Sequence, residues 1–499
     1  MTESFVKLKD RCFVVTVLPT LLLLLFQLVF VAVALLQSGG EVAYRSYHAA
    51  EDAVYTVLYP ITGQLLGRMA VLMVIEGAFA AVNYRYLRSE AAVSIWIPMM
   101  LLTSVGVVLQ TFLNSPAGSA RHFRLLLLSL AGFAAAALLA HLVHRLPLAH
   151  RGKLLRWGLF AVLAVIGAAL LVGMLHPTNG YAGLVGGVSV AELAKGFIMV
   201  YVAAGLQQMQ SDGKLRRIFL LASLVLSALL AVTNGVGDAA VVAALAVLVI
   251  WVTVSPLAAC GVTAAGLGAA AGGVLLLRCF RPDSYMLQRI AGMGSVLTSE
   301  AANAQHKRSV LLLLRSGMLG SGTGDTLLVS NTYACASDMA FNSLCSIFGI
   351  AMGLMVLLAV VALAFGLRRT TQETAAGGTA HYSLGNIFAV LLLVETAIPV
   401  LGNLNLLPLT GLSFPLLATG GSMMLTTMTI AGLCLGFGLP SSQFTDPLCV
   451  KAEHLTEGLV AGLTVLADRF GPAVDFCCAL WERLGGKQVN AIPVDKEEL

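Results

Sequence analysis

The sequence predicts an all-α polytopic membrane protein, on three observations. Apolar runs long enough to cross a bilayer recur along the whole chain, as in "FVVTVLPTLLLLLFQLVFVAVALL" from Phe13 and "IFGIAMGLMVLLAVVALAFGL" from Ile347. Charge is scarce: 11% of the 499 residues are Asp, Glu, Lys or Arg, while 58% are hydrophobic. The basic residues gather in short connections between the apolar runs, as the positive-inside rule requires. Lipid offers no hydrogen-bonding partner to a peptide group, so apolar spans of this length must be helices.

Taken in order, the apolar runs predict about twelve spans, near residues 13–36, 62–82, 93–113, 123–144, 157–175, 187–206, 217–233, 236–254, 256–278, 342–367, 384–404 and 421–440. Lys7, Lys9 and Arg11 precede the first run as in a signal peptide, but the run is long for a signal core and lacks a clean small-residue cleavage site. It therefore reads as a retained helix. With the N-terminus in the cytoplasm, the loops "NYRYLRSE", "HRLPLAHRGKLLRW", "SDGKLRR" and "GLRRTTQETAAGG" fall inside, and all are basic. The loop "HPTNGYAGLVGG", without Lys or Arg, falls outside, and only Arg121 and Arg124 vote the other way. The tail 441–499 is then cytoplasmic and contains an amphipathic stretch around Leu455–Leu466 suited to the membrane surface.

The net charge of +5 is modest and spread over loops, which argues against a nucleic-acid partner. Nine cysteines show no C-x-x-C spacing, so no metal or redox motif is present. Cys279 and Cys335 flank one polar segment and could pair there, although small apolar packing is the more frequent use of such residues. No phosphate loop, nucleotide-binding glycine pattern or serine-hydrolase elbow occurs, which argues against ATP-driven transport within this chain.

Two segments break the pattern of spans. Residues 279–341 form a long polar loop on the predicted outer face, with the glycine-rich stretch "RSGMLGSGTGD" inside it. Loops of this length are commonly functional. "GNLNLLPLTGLSFPLLATGGS" is rich in Pro and Gly yet apolar, the composition of a re-entrant element.

Few residues could carry chemistry. In "VSVAELAKGF", Glu192 and Lys195 stand three apart on one helical face, either as a functional pair or as an interfacial salt bridge. Asp338 precedes an apolar run, where it could serve as a general base at the membrane boundary or as part of a helix cap with Ser337. Asp238 reads as a capping or turn residue, and Glu395 must face the bundle interior. His141 and His144 read as interfacial.

Four segments, in order, resemble the SEDS family (shape, elongation, division and sporulation proteins) across roughly residues 93–440. "SVAELAK" resembles the family's Q-P-S-E-L-A-K, with Glu192 and Lys195 on its acid and base. "QHKRSVLLLLRSGMLGSGTG" resembles the glycine-rich part of the outer loop, and "SDMAFNSLCSIFG" places Asp338 on the family's aspartate. "LLPLTGLSFPLLATGGS" resembles L-P-x-T-G-x-x-L-P-x-x-S-Y-G-G-S.

The resemblance implies a ten-helix core at 93–440 behind an extension of two helices at 1–92, which preserves the orientation. It implies an inverting peptidoglycan glycosyltransferase in the bacterial cytoplasmic membrane that polymerises lipid II on the outer face, paired with a class B penicillin-binding transpeptidase. Asp338 would then be catalytic. Glu192, Lys195, Arg289, Arg315, Gly317, Thr410, Gly411, Pro415, Gly420 and Gly421 would contact substrate. No cofactor is implied beyond a divalent cation at most.

The chain departs from the family pattern at several positions. Ser189–Ala191 replaces Gln-Pro-Ser, Ser346 and Ile347 replace a glutamate pair, and Ala418-Thr419 replaces Ser-Tyr. Glu395 stands for a Gln and Pro399 for an Asn. These departures keep open a second reading, a non-catalytic scaffold or a transporter of lipid-linked precursors.

Overall fold

The computed structural model describes residues 2–48, 53–87, 89–145, 184–185, 188–232, 236–280, 304–322, 334–373, 379–408 and 410–438, with 167, 287, 290 and 329 in addition. The chain begins with α1 (Thr2–Ser38), the hairpin β1 (Glu41–His48) and β2 (Ala53–Pro60), and α2 (Thr62–Val82), whose end runs into a π-helical turn Asn83–Leu87. Then follow α3 (Glu90–Leu113), α4 (Pro116–Arg145), a two-residue ribbon β3 (Leu184–Val185) and β4 (Val188–Ser189), α5 (Val190–Ser211), α6 (Gly213–Val232), α7 (Val236–Thr253) and α8 (Pro256–Phe280). The remainder is α9 (Ala304–Arg315), α10 (Ala340–Phe348), α11 (Ile350–Glu373), α12 (Thr379–Asn403) and α13 (Gly421–Gly438).

Among the described residues, 8 helices are long and apolar enough to cross a membrane, and Ala194–Ala203 and Gly237–Thr253 are shorter apolar helices. The expected span at 157–175, residue 167 apart, and the tail helix lie outside the described residues. One expected span needs correction. The run at 342–367 is two helices, because the chain turns at Gly349 (φ +92), a backbone conformation that costs glycine little. α10 is therefore a short, fully buried helix, and the long helix begins at Ile350. The strands β1 and β2 were not expected; they pair antiparallel from Glu41↔Pro60 to His48↔Ala53.

Close backbone approaches hold the bundle together. On α13, Gly432 and Gly436 meet the carbonyls of Phe133 and Ala137 on α4 so tightly that a Cβ would collide with them. This is the use of a G-x-x-x-G pair in membrane helices, where burial of apolar surface drives little and dispersion contact must do more. Gly366 of α11 meets the Ser94 carbonyl of α3 in the same way.

The two added helices are stitched to this core by polar bonds. Gln27 of α1 donates to Ser104 Oγ of α3 at 2.7 Å and also to Glu76 of α2. Arg68 of α2 donates to Thr111 Oγ1 at 2.9 Å and to Ser119 Oγ at 3.1 Å. These bonds place the start of α2, the end of α3 and the β1–β2 hairpin at one end of the bundle. Phe348 of α10 stands at that same end, its ring edge-on to Phe30 of α1 (centroids 5.2 Å apart) and to Phe112 of α3 (5.6 Å).

Candidate active site

Between α12 and α13, the described residues of 404–420 are not helical, yet Leu412, Phe414, Leu416, Leu417 and Ala418 are buried. A Cβ on Gly106 would lie 2.5 Å from the Leu416 carbonyl oxygen. Gly106 is seven residues before the end of α3, so the segment dips about 10 Å below that end. An apolar stretch rich in Pro and Gly can make this excursion only where protein satisfies its peptide groups. Here Gln110 and Thr419 do part of that work.

Asp338 lies in a tight turn, 334–339, directly before α10. The turn opens on Ala334 in the left-handed region (φ +58), whose carbonyl accepts from the N–H groups of Ser337 (3.1 Å) and Met339 (3.0 Å). The cap position of α10 is Met339, without a side-chain cap bond, so neither Ser337 nor Asp338 occupies it. The Asp338 side chain is half-buried and turns toward the 404–420 segment. Ser413 Oγ lies 3.5 Å from Asp338 Oδ1, and a Cβ on Gly411 would be 3.8 Å from Oδ2. Burial pushes the neighbouring Cys335 thiol up to about 11. Cys279 and Cys335 are both free thiols, so the pairing considered from sequence is not made.

The second cluster centres on Lys195, which is 1% exposed. Its ammonium lies 2.9 Å from Glu192 Oε1, 2.9 Å from Asp238 Oδ1 and 3.5 Å from Glu395 Oε1. The Glu192–Lys195 pair is thus buried, and the interfacial reading is set aside. Asp238, which reads from sequence as a turn residue, does sit in the first turn of α7, but its carboxylate serves Lys195. Glu395 is fully buried, as expected. Among the described residues, no group of three or more His, Cys, Asp or Glu could hold a metal ion.

The 404–420 segment joins the two clusters. Thr410 packs on Gly237, one residue before Asp238, with 2.9 Å from a Cβ there to Thr410 Oγ1. Gly411 and Ser413 then face Asp338. Gly420 packs on Ser413, Gly421 packs on Leu125 of α4, and Pro415 is buried in the dip. Thr426 of α13 donates to the Glu192 carbonyl at 3.2 Å.

The remaining expected site residues divide. Gly317 sits where the glycine-rich stretch docks on the α10–α11 junction: its carbonyl accepts from Ile350 N at 3.0 Å, and Ser321 donates to the Ser346 carbonyl. Arg315 is exposed at the end of α9, and Arg289 lies outside the described residues. Gln110 was not singled out from sequence. A lone Gln near the end of an otherwise apolar span was the available signal.

A family model described as cell cycle protein matches residues 93–437. A chain solved in work on the structural coordination of polymerization and crosslinking by a peptidoglycan synthase complex is 18% identical, with a TM-score of 0.51; the match covers 70% of this chain and 98% of that one. No curated protein matches. The family match spans more than two thirds of the chain and contains every element of the site just described, so this chain belongs to the cell cycle protein family, the SEDS family of the sequence resemblance.

Proposed function

We propose that this chain polymerises lipid II into peptidoglycan glycan strands on the outer face of the bacterial cytoplasmic membrane. The observation that carries the reading is the 404–420 segment, which faces Asp338 with Gly411 and Ser413 while Thr410 reaches the Lys195 cluster. Asp338 accepts the proton of the acceptor sugar's hydroxyl as that oxygen attacks the donor's anomeric carbon from the side opposite the leaving group. The bond from that carbon to the polyprenyl diphosphate breaks, with inversion. Negative charge grows on the diphosphate and needs cations nearby. Lys195 is already enclosed by three carboxylates, so in this reading its cluster shapes the floor of the site. Arg315, exposed at the end of α9, is the described cation that would meet the diphosphate, with Arg289 and a divalent ion as further contributors. A class B penicillin-binding transpeptidase is the proposed partner that cross-links the strands.

The test uses the purified full chain in lipid vesicles with lipid II. Asp338→Asn should lower strand synthesis by on the order of a hundredfold or more, with unchanged extraction yield and thermal midpoint. Strand synthesis at the wild-type rate by that variant overturns the assignment.

One observation favours a second reading, transport of a lipid-linked precursor. Four ionisable side chains, Lys195, Glu192, Asp238 and Glu395, are buried together inside the helical bundle, as transporters often require. Strand synthesis by the purified chain without another polymerase supports the first reading. Lipid II translocation without synthesis supports the second.

A further inference from the structure

Gln110 lies within the last turn of α3 and is fully buried, beside Val107, Leu109, Phe112 and Leu113. Burying a primary amide costs free energy unless its two donors and its acceptor find partners. Here Nε2 donates to the Ala336 carbonyl at 3.0 Å and to the Leu417 carbonyl at 2.9 Å. Oε1 accepts from Asn114 Nδ2 at 2.6 Å. Both of the first two partners are carbonyls, so the amide must present its nitrogen to them; the reverse orientation would set oxygen against oxygen.

The Ala336 carbonyl stands two residues before Asp338. It receives Gln110 and also Thr419, whose backbone N–H lies at 2.8 Å and whose hydroxyl lies at 3.1 Å. A carbonyl has two lone pairs, so three donors over-determine its place. The next carbonyl back, Cys335, accepts from Ser343 Oγ of α10 at 2.9 Å. One side chain of α3 therefore ties the Asp338 turn to the buried dip at 416–419, and Thr419 ties it a second time from the dip itself.

We infer that Gln110, supported by Thr419, is a positioning residue that sets where the Asp338 carboxylate stands relative to the 404–420 segment. The inference rests on Asp338 as the base of the proposed reaction. A proton acceptor displaced by about 1 Å from its working place loses on the order of a hundredfold in rate. Gln110 touches no reacting atom, and its effect passes wholly through the turn.

Two measurements on the full chain test this, one of them independent of any activity. In lipid II polymerisation, Gln110→Met should lower kcat on the order of tenfold to a hundredfold, with KM for lipid II within about threefold of wild type. Gln110→Glu, which sets carboxyl oxygens against two carbonyls, should fall further. Thr419→Val should fall less than either, and Thr419→Ser, which keeps the hydroxyl donor, should stay within about twofold. The second measurement places a cysteine at the turn by Asp338→Cys and follows its alkylation by site-resolved mass spectrometry, with and without Gln110→Met. Release of the turn should speed alkylation by about fivefold or more.

An unchanged alkylation rate overturns the inference whatever the enzyme does. So does faster alkylation combined with an unaltered kcat in a protein that Asp338→Asn inactivates. If the wild-type chain makes no strands from lipid II, the proposed function fails, and the alkylation arm alone still decides whether Gln110 fixes the turn.

Discussion

Around Lys195, three carboxylates from three helices converge on one buried ammonium. Around Asp338, a half-buried carboxylate is placed by neutral bonds among backbone carbonyls, an amide and two hydroxyls. The two arrangements differ in how they respond to displacement. Coulomb attraction falls slowly with distance, so a charge cluster keeps its cohesion when a helix shifts by a fraction of an ångström. Hydrogen bonds weaken steeply with angle and length, so the neutral network defines a position. The cohesive half lies inside the bundle, and the position-defining half holds the residue proposed to handle a proton.

Three substitutions probe this contrast. Lys195→Met would leave three carboxylates facing one another without a cation, a loss of about 3–5 kcal/mol for a broken buried pair. The expected outcome is little folded protein after detergent extraction, and a normal yield would show that the cluster contributes no cohesion. Gly106→Ala strikes the neutral half, since its Cβ would meet the Leu416 carbonyl at 2.5 Å. Overpacking of this kind costs about 1–3 kcal/mol. Thermal melting should show that loss, and strand synthesis should fall more than stability does, because Leu417 and Gln110 move with the dip. Glu395→Gln keeps the shape of a fully buried side chain and removes one of the three acidic groups crowded on a single ammonium. Its effect should be the smallest and of opposite sign, a gain of about 1 kcal/mol in thermal stability; a loss instead would make Glu395 an indispensable partner of Lys195.

The spans were legible because hydropathy is a local property: α2, α3, α7, α8 and α13 follow the apolar runs within a few residues at both ends, while α1 and α4 begin well before theirs. The Glu192–Lys195 pair was legible for the same reason, being an i,i+3 contact. What sequence alone could not supply is convergence across the chain. Asp238 and Glu395 reach Lys195 from other helices, and Gln110 reaches carbonyls 226 and 307 residues away. Spacing carries no information about such meetings. The break at Gly349 was hidden because apolar residues continue on both sides of it. The G-x-x-x-G pair Gly432–Gly436, not singled out from sequence, marks the face of α13 that meets α4.

The family match begins at residue 93, but the packing does not. Phe30 of α1 closes one side of Phe348 on α10, the helix that Asp338 leads into, and Gln27 and Arg68 satisfy hydroxyls on α3. Removing residues 1–92 would take Phe30 away from the Asp338 helix and strip Ser104 and Thr111 of their bonds to Gln27 and Arg68. The family match and the packed bundle have different borders in this protein, and the second reaches back to the first helix.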